Sequence, residues 1–282
     1  MKKIAWIGTG VMGYAMAAHL IEAGYPLNVY TRTASKAEGL RARLCFSIEE
    51  AVQEADIVIT MVGYPQDVQE VYDAIFKYAR RGTLCIDMTT SAPSLAQDLA
   101  IQAKKYGLNC LDAPVSGGDI GAKNATLTIM VGGDVQTYHE ALPIFEKLGK
   151  TITYVGKAGS GQHCKMANQI VIAGNLVAVC ESIQYAKKCG LDPQLVLSAI
   201  SGGSAASWQL LNNGPKILQD NLSPGFYVHH FIKDLKLVLH EAHQVNLHLP
   251  VVEEVLKDYE ALVEKDPTLA LAGTQALIKS YE

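Results

Sequence analysis

The 282-residue chain has no C-x-x-C pair, no internal repeat, no low-complexity tract and no surplus of positive charge. Its six cysteines, at positions 45, 85, 110, 164, 180 and 189, lack the spacing of a zinc site, and several fall inside apolar runs. They read as reduced core residues of a cytoplasmic protein, not as a disulfide or metal framework. A net charge of -4 provides no electrostatic footprint for nucleic acid or an anionic membrane. Only 18% of residues are charged and 49% are hydrophobic, which excludes a disordered chain and leaves enough apolar surface for two domains or one large one. No segment is long, apolar and free of glycine and charge in the way a membrane span requires; the nearest, Met166 to Cys180, is short and has polar flanks. Met1-Lys2-Lys3, an apolar run and Ala15-Met16-Ala17 imitate a secretory signal, but the glycines inside that run belong to another pattern.

That pattern is a strand, Lys3 to Ile7, then Gly8-Thr9-Gly10-Val11-Met12-Gly13, then a helix from Tyr14 to Ala23. In a G-x-G-x-x-G turn the first glycine permits the tight turn and the second lets backbone approach a pyrophosphate. The third lets helix pack on strand, and the helix N-terminus faces the phosphates. One more absence follows. The next strand, Leu27 to Tyr30, ends in Thr31-Arg32-Thr33 with Lys36 close behind, and no Asp or Glu is there to accept from an NAD ribose. Arg32 is a planar donor suited to a 2′-phosphate, which favours NADP(H) over NAD; as a solvated loop charge it would leave the choice undecided.

Strand and helix patterns alternate from there. Strands are expected at Asp56 to Val62, Thr83 to Met88, Leu108 to Asp112, Ala125 to Val131 and Thr151 to Val155, with helices at Gln66 to Ala79, Ser94 to Lys105 and Val135 to Leu148. This predicts an α/β fold with a parallel, doubly wound, Rossmann-like sheet, whose ligands bind at the carboxyl ends of the strands. Met61, Val62 and Thr90 stand at such ends and are candidate cofactor contacts. Ser116-Gly117-Gly118 also follows a strand. It reads either as an ordinary turn or as a hydroxyl and consecutive N–H groups offered to a carboxylate.

Gly156, Gly159 and Gly161 then give way to a helical pattern over 162–189, interrupted only by Gly174 and long enough to belong to two domains. Lys165 and Asn168 are three apart near its start and share a face. Burying an ammonium is costly and lowers its pKa, as proton transfer near neutral pH requires. On local grounds Lys165 equally reads as a lysine snorkelling to water. After Gly190 only helices are expected: Pro193 to Ile200, one from Trp208, one from Phe231 to Val245, and Val251 to Val263. The chain therefore divides into a dinucleotide-binding domain, 1–161, and an all-α domain, 162–282. Trp208 reads as a pocket residue or a core aromatic. His229, His230, His240 and His243 lack partners of metal-ligand type and read as solvated or interface residues, with no metal site expected.

The ordered set Gly8-x-Gly10-x-Met12-Gly13, Asp112-Ala113-Pro114-Val115-Ser116-Gly117-Gly118, Gly156 to Asn168 and Lys233-Asp234-Leu235 resembles the β-hydroxyacid dehydrogenase family over nearly the whole chain. That group includes 3-hydroxyisobutyrate dehydrogenase and tartronate semialdehyde reductase. The resemblance implies an NADP-dependent oxidoreductase interconverting a small semialdehyde and its hydroxy acid. Lys165 would be the general acid/base and Asn168 would hold the substrate beside it. Ser116, Gly117 and Gly118 would bind the substrate carboxylate. Trp208 and Phe231 lie where relatives line the pocket, and Lys233 would close over the nicotinamide. A homodimer or homotetramer is expected, with neither nucleic acid nor membrane as partner. Two departures stand out: Thr31 replaces a frequent asparagine, and Lys123-Asn124-Ala125 replaces a stretch that usually ends in glycine. The alternatives are an imine reductase on the same scaffold, whose relatives lack the lysine, or a non-catalytic NADPH-binding protein.

Overall fold

The computed structural model describes residues 1–281, and they separate into two compact units, Met1–Lys165 and a second from Met166 onward. The first unit begins with β1 (Ile4–Ile7), α1 (Val11–Glu22), β2 (Leu27–Tyr30), β3 (Arg43–Leu44), α2 (Ile48–Val52), β4 (Ile57–Thr60), α3 (Pro65–Tyr78), β5 (Leu84–Asp87), α4 (Pro93–Tyr106) and β6 (Asn109–Asp112). It continues with β7 (Val115–Ser116), α5 (Gly118–Lys123), β8 (Leu127–Gly133), α6 (Val135–Phe145) and β9 (Gly149–Gly156). Among the described residues these strands form one sheet in the order β3-β2-β1-β4-β5-β6-β8-β7, with β9 on the other side of β8.

The first six strands run parallel, because each pair is joined by a crossover that returns the chain to the same edge. Both faces of the sheet are covered. Ile4, Trp6, Ile57 and Ile59 pack with Met16 and Leu20 of α1 on one side, while Ala5, Ile7 and Val58 pack with Tyr72, Ile75 and Leu99 on the other. That is why the strands read as continuous apolar runs instead of alternating ones.

The all-parallel expectation fails after β6. Strand β8 runs antiparallel to both β6 and β7, which lie end to end along its edge. Strand β7 continues the line of β6 in the same register, and the chain reverses after it, through Gly117 and the short α5, into β8; that link is too short for a full crossover helix. Four short elements, β3, α2, β7 and α5, give no signal in the sequence, being too brief to show a period.

Helix α7 (Ser160–Lys188) runs unbroken from the first unit into the second. It is followed by α8 (Pro193–Ile200), α9 (Trp208–Leu218), α10 (Val228–Gln244) and α11 (Pro250–Lys265). The second core gathers Leu176, Cys180 and Ile183 of α7 with Val228, Phe231, Leu235, Val255 and Tyr259. By length and composition α7 could cross a membrane, but its buried residues include Gln162 and Gln169, both hydrogen-bonded into the fold, as a core helix requires. All six cysteines are free. Cys189 is exposed at the foot of α7, so the core reading fails for it.

Candidate functional site

The first candidate region lies at the carboxyl end of β1. The Gly8 N–H donates to the Tyr30 carbonyl (2.9 Å), and the Trp6 indole N–H donates to the Gly8 carbonyl (2.8 Å). Gly8 has φ 99°, and a side chain on Gly13 would collide with the Gly8 carbonyl oxygen, so only glycine lets α1 pack this close. Gly10 differs: it begins α1, and nothing lies within 4 Å of where its Cβ would be. The first turn of α1 has neither a side-chain cap nor an acidic residue, which leaves its backbone N–H groups for an anion. Thr9 beside it is 2% exposed, and its hydroxyl oxygen has no partner among the described residues. Open space at Gly10, an uncapped helix start and an orphaned buried hydroxyl fit a dinucleotide pyrophosphate. Val11 is exposed and Met12 half-buried on the same turn, and Met61 and Val62 follow β4 against Gly8. The Val62 N–H donates to the buried Thr89 hydroxyl (3.0 Å), with Thr90 half-buried next in chain.

After β2, Thr31 is half-buried, and Arg32, Thr33 and Lys36 are exposed. The acid missing from this loop's sequence is supplied from elsewhere. Arg32 Nη1 lies 2.8 Å from Oδ1 of Asp67, on the first turn of α3. The other oxygen of Asp67 accepts the Tyr64 N–H at 2.9 Å. The separation of 35 residues hid this pair; the one local signal was Tyr64-Pro65-Gln66-Asp67, an acid three residues after a helix cap.

The third region fixes the start of α7. Asp112, at the end of β6, accepts the Gly159 N–H on one oxygen (2.8 Å) and the Gln162 N–H on the other (2.9 Å). The Gln162 side chain accepts the Ser91 N–H (2.9 Å) and donates to the Thr89 carbonyl (2.8 Å). A Cβ on Gly161 would lie 2.5 Å from the Met130 oxygen and 2.7 Å from the Asp112 oxygen. The first turn of α7 is thus pinned to the ends of β5 and β6. Lys165 follows within the next turn and is 5% exposed, which overturns the snorkelling alternative. Burial pushes the Asp112 carboxyl above its ordinary range, and the N–H groups of Gly159, Gln162 and Gly161 pull it back. Its neighbour across the strands, Asp87, accepts from the Thr60 hydroxyl (2.8 Å) and the Thr89 N–H (3.1 Å). Burial drives Asp87 up to about 6 against those bonds, and the charge of Asp112 adds to the rise. Neither clamp was read from the sequence, where Asp112 served only to open a motif.

Ser116 ends β7, half-buried and paired with Thr128. Gly117 (φ 130°) and Gly118 (φ 62°) carry the chain into α5, both in backbone regions that favour glycine. Ala125, where a glycine is usual, takes φ 50°, so the left-handed turn persists at the cost of a Cβ in that region.

In the second unit Asn168 donates to Gln169 Oε1 (2.7 Å), and Gln169 donates to Asp234 Oδ2 (2.7 Å). Lys233 Nζ lies 3.1 Å from Asp234 Oδ1, close enough to pair but not aligned as a hydrogen bond. Asn168 and Lys233 are thereby joined through Gln169, which no sequence signal marks, and Asp234 of the Lys233-Asp234-Leu235 motif. Phe231, expected to line the substrate pocket, is fully buried, edge-on to Tyr259 at 5.5 Å, and packs in the helical core. Trp208, 58% exposed on the first turn of α9, is not a core residue. His230 is not solvated either. Burial lowers it to about 4, and its ring lies 4.1 Å from that of His229, whose Nδ1 is 2.8 Å from the Ala270 carbonyl. Among the described residues no group of three His, Cys, Asp or Glu is placed to hold a metal ion.

The family model for the NAD-binding domain of 6-phosphogluconate dehydrogenase matches residues 3–156, and that for the NAD-binding region of NADP-dependent 3-hydroxyisobutyrate dehydrogenase matches residues 159–281. The chain is 47% identical over 286 residues to an uncharacterized oxidoreductase, YkwC, of Bacillus subtilis, covering 99% of each chain. It is 41% identical over 254 residues to 2-hydroxy-3-oxopropionate reductase of Escherichia coli, covering 88% of this chain and 87% of that one. Its fold is similar to that of Mycobacterium tuberculosis 3-hydroxyisobutyrate dehydrogenase, solved with L-serine. The TM-score is 0.93 at 33% identity, over 100% of this chain and 99% of the other.

Proposed function

This chain belongs to the β-hydroxyacid dehydrogenase family, and on that premise we propose that it interconverts a small semialdehyde and its hydroxy acid with NADP(H), using Lys165 as general acid and base. The observation that carries the reading is a buried lysine on a helix whose first turn is held at both strand ends. A bound nicotinamide supplies the hydride to the carbonyl carbon in reduction and takes it back in oxidation. The Lys165 ammonium gives its proton to the carbonyl oxygen as charge develops there, and neutral Lys165 takes the hydroxyl proton in the reverse direction. Asn168, three residues along the helix, orients that oxygen. The hydroxyl of Ser116 and the N–H groups of Gly117 and Gly118 hold the carboxylate. Lys233, beside the Asp234 carboxylate, closes over the nicotinamide end. Arg32 and Lys36 receive the 2′-phosphate, which is the support for NADP(H) over NAD(H).

The substrates expected on this reading are short acids carrying a hydroxyl or aldehyde, and relatives named 2-hydroxy-3-oxopropionate reductase and 3-hydroxyisobutyrate dehydrogenase support it. The test is to follow NADPH and NADH absorbance against a panel of short semialdehydes and hydroxy acids. Oxidation of NADPH by at least one semialdehyde supports the reading, and a panel without turnover in either direction rejects it.

A further inference from the structure

In dinucleotide folds the residue at the end of β2 chooses the cofactor: a carboxylate accepts the 2′-hydroxyl of NAD(H), and an arginine takes the 2′-phosphate of NADP(H). Here both kinds of group occupy one corner. Asp67 is the fixed member. Its side chain is 15% exposed, one oxygen is held by the Tyr64 N–H, and it sits on the first turn of α3, where the helix dipole favours a negative charge. Arg32 is the exposed member, its side chain 73% exposed with a 2.8 Å contact to Asp67.

We propose that Asp67 and Arg32 together select the cofactor, with Asp67 Oδ1 accepting the ribose 2′-hydroxyl of NAD(H) and Arg32 turning from Asp67 to the 2′-phosphate of NADP(H). The proposal rests on the reading that a nicotinamide dinucleotide binds at the Gly8–Gly13 loop, and it refines that reading's choice of cofactor. Arg32 can serve a phosphate only by giving up its contact with Asp67, and the incoming phosphate must approach a carboxylate that the Tyr64 N–H holds in place. The preference for NADP(H) is therefore held down, and NAD(H) remains a working ligand.

Isothermal titration of the full chain with NADPH and with NADH tests this, comparing wild type with Asp67→Asn and Arg32→Ala. Asparagine keeps an acceptor for the Tyr64 N–H, so α3 stays capped. Asp67→Asn should tighten NADPH about tenfold and weaken NADH several-fold, a change of opposite sign for the two ligands. Arg32→Ala should weaken NADPH about tenfold or more and leave NADH within about twofold. Equal shifts for both cofactors in Asp67→Asn, or unchanged NADPH affinity in Arg32→Ala, would overturn the selector while leaving the binding site intact. Wild type that binds neither cofactor would instead overturn the underlying reading, and the selector with it.

Discussion

Two helices in the first unit begin after glycines, and they begin in opposite ways. The start of α1 is open: Gly10 offers no side chain, no residue caps the turn, and the space where a Cβ would go is empty. The start of α7 is closed: the Asp112 carboxylate fills it from another strand, Gln162 hooks it to β5, and Gly161 is pressed against the Met130 and Asp112 backbones. Both face the same problem, the orphaned N–H groups of a helix start. The open start leaves them uncapped, as the proposed dinucleotide site requires, and the closed one satisfies them with a buried protein carboxylate. A helix start that receives an anion and one that aims a side chain thus have opposite requirements, though both look like glycine-rich turns in sequence.

Lys165→Ala gives the largest effect by which that contrast can be broken. On the proposed role of Lys165 as general acid and base, kcat should fall about a thousandfold, while the NADPH dissociation constant stays within about twofold. A variant with turnover near wild type would leave the closed start without a purpose. Gly161→Ala comes next. Alanine gains about 1 kcal/mol of helix propensity over glycine, but its Cβ meets two carbonyl oxygens at 2.5 and 2.7 Å. Overpacking should win, with a net loss of about 2–3 kcal/mol in urea unfolding. Gly10→Ala should do the reverse: stability of the cofactor-free protein changes by less than about 0.5 kcal/mol, while NADPH binding weakens about tenfold or more because the Cβ fills the phosphate approach. If both glycine variants lose stability alike, the two starts are not different in kind.

Asp87, paired in register with Asp112, sharpens the contrast by titration. Its native carboxyl titrates near 6, above the ordinary carboxylate range, so the folded state binds the proton more tightly than the unfolded chain does. Its contribution therefore disfavours folding progressively as pH rises from about 4 to about 6, and fully above that. Asp87→Asn should be more stable than wild type by about 1–2 kcal/mol at pH 7.5 and nearly equal at pH 4.5. A pH-independent difference in urea midpoints would show that Asp87 remains ionised when buried.

The sequence disclosed what depends on neighbours in the chain. The Gly8–Gly13 turn and the parallel strands up to β6 were legible, because each rests on local spacing or on an apolar run, whereas the burial of Lys165 was one of two local readings that only the fold separates. The Asp112 clamp, the Arg32–Asp67 pair and the link from Gln169 to Asp234 span 35 to 65 residues, and no local pattern announces them. Phe231 precedes Lys233 by two, a spacing that turns the two side chains to different sides of a helix, and its burial in the helical core was not announced by the motif beside it. The reversal at β8 was hidden because a strand's direction is set by its link, and the link here, Gly117-Gly118 leading into the short α5, looks like part of a binding motif.

One consequence of the loop geometry is practical. Trp6 is wholly buried, and its indole N–H is tethered to the Gly8 carbonyl, directly beneath the turn where Gly10 opens. Any occupant that shifts that carbonyl alters the polarity felt by the indole, so the protein carries a native optical reporter of the open helix start. With Trp208 replaced by phenylalanine, its emission would belong to Trp6 alone, the chain's one remaining tryptophan.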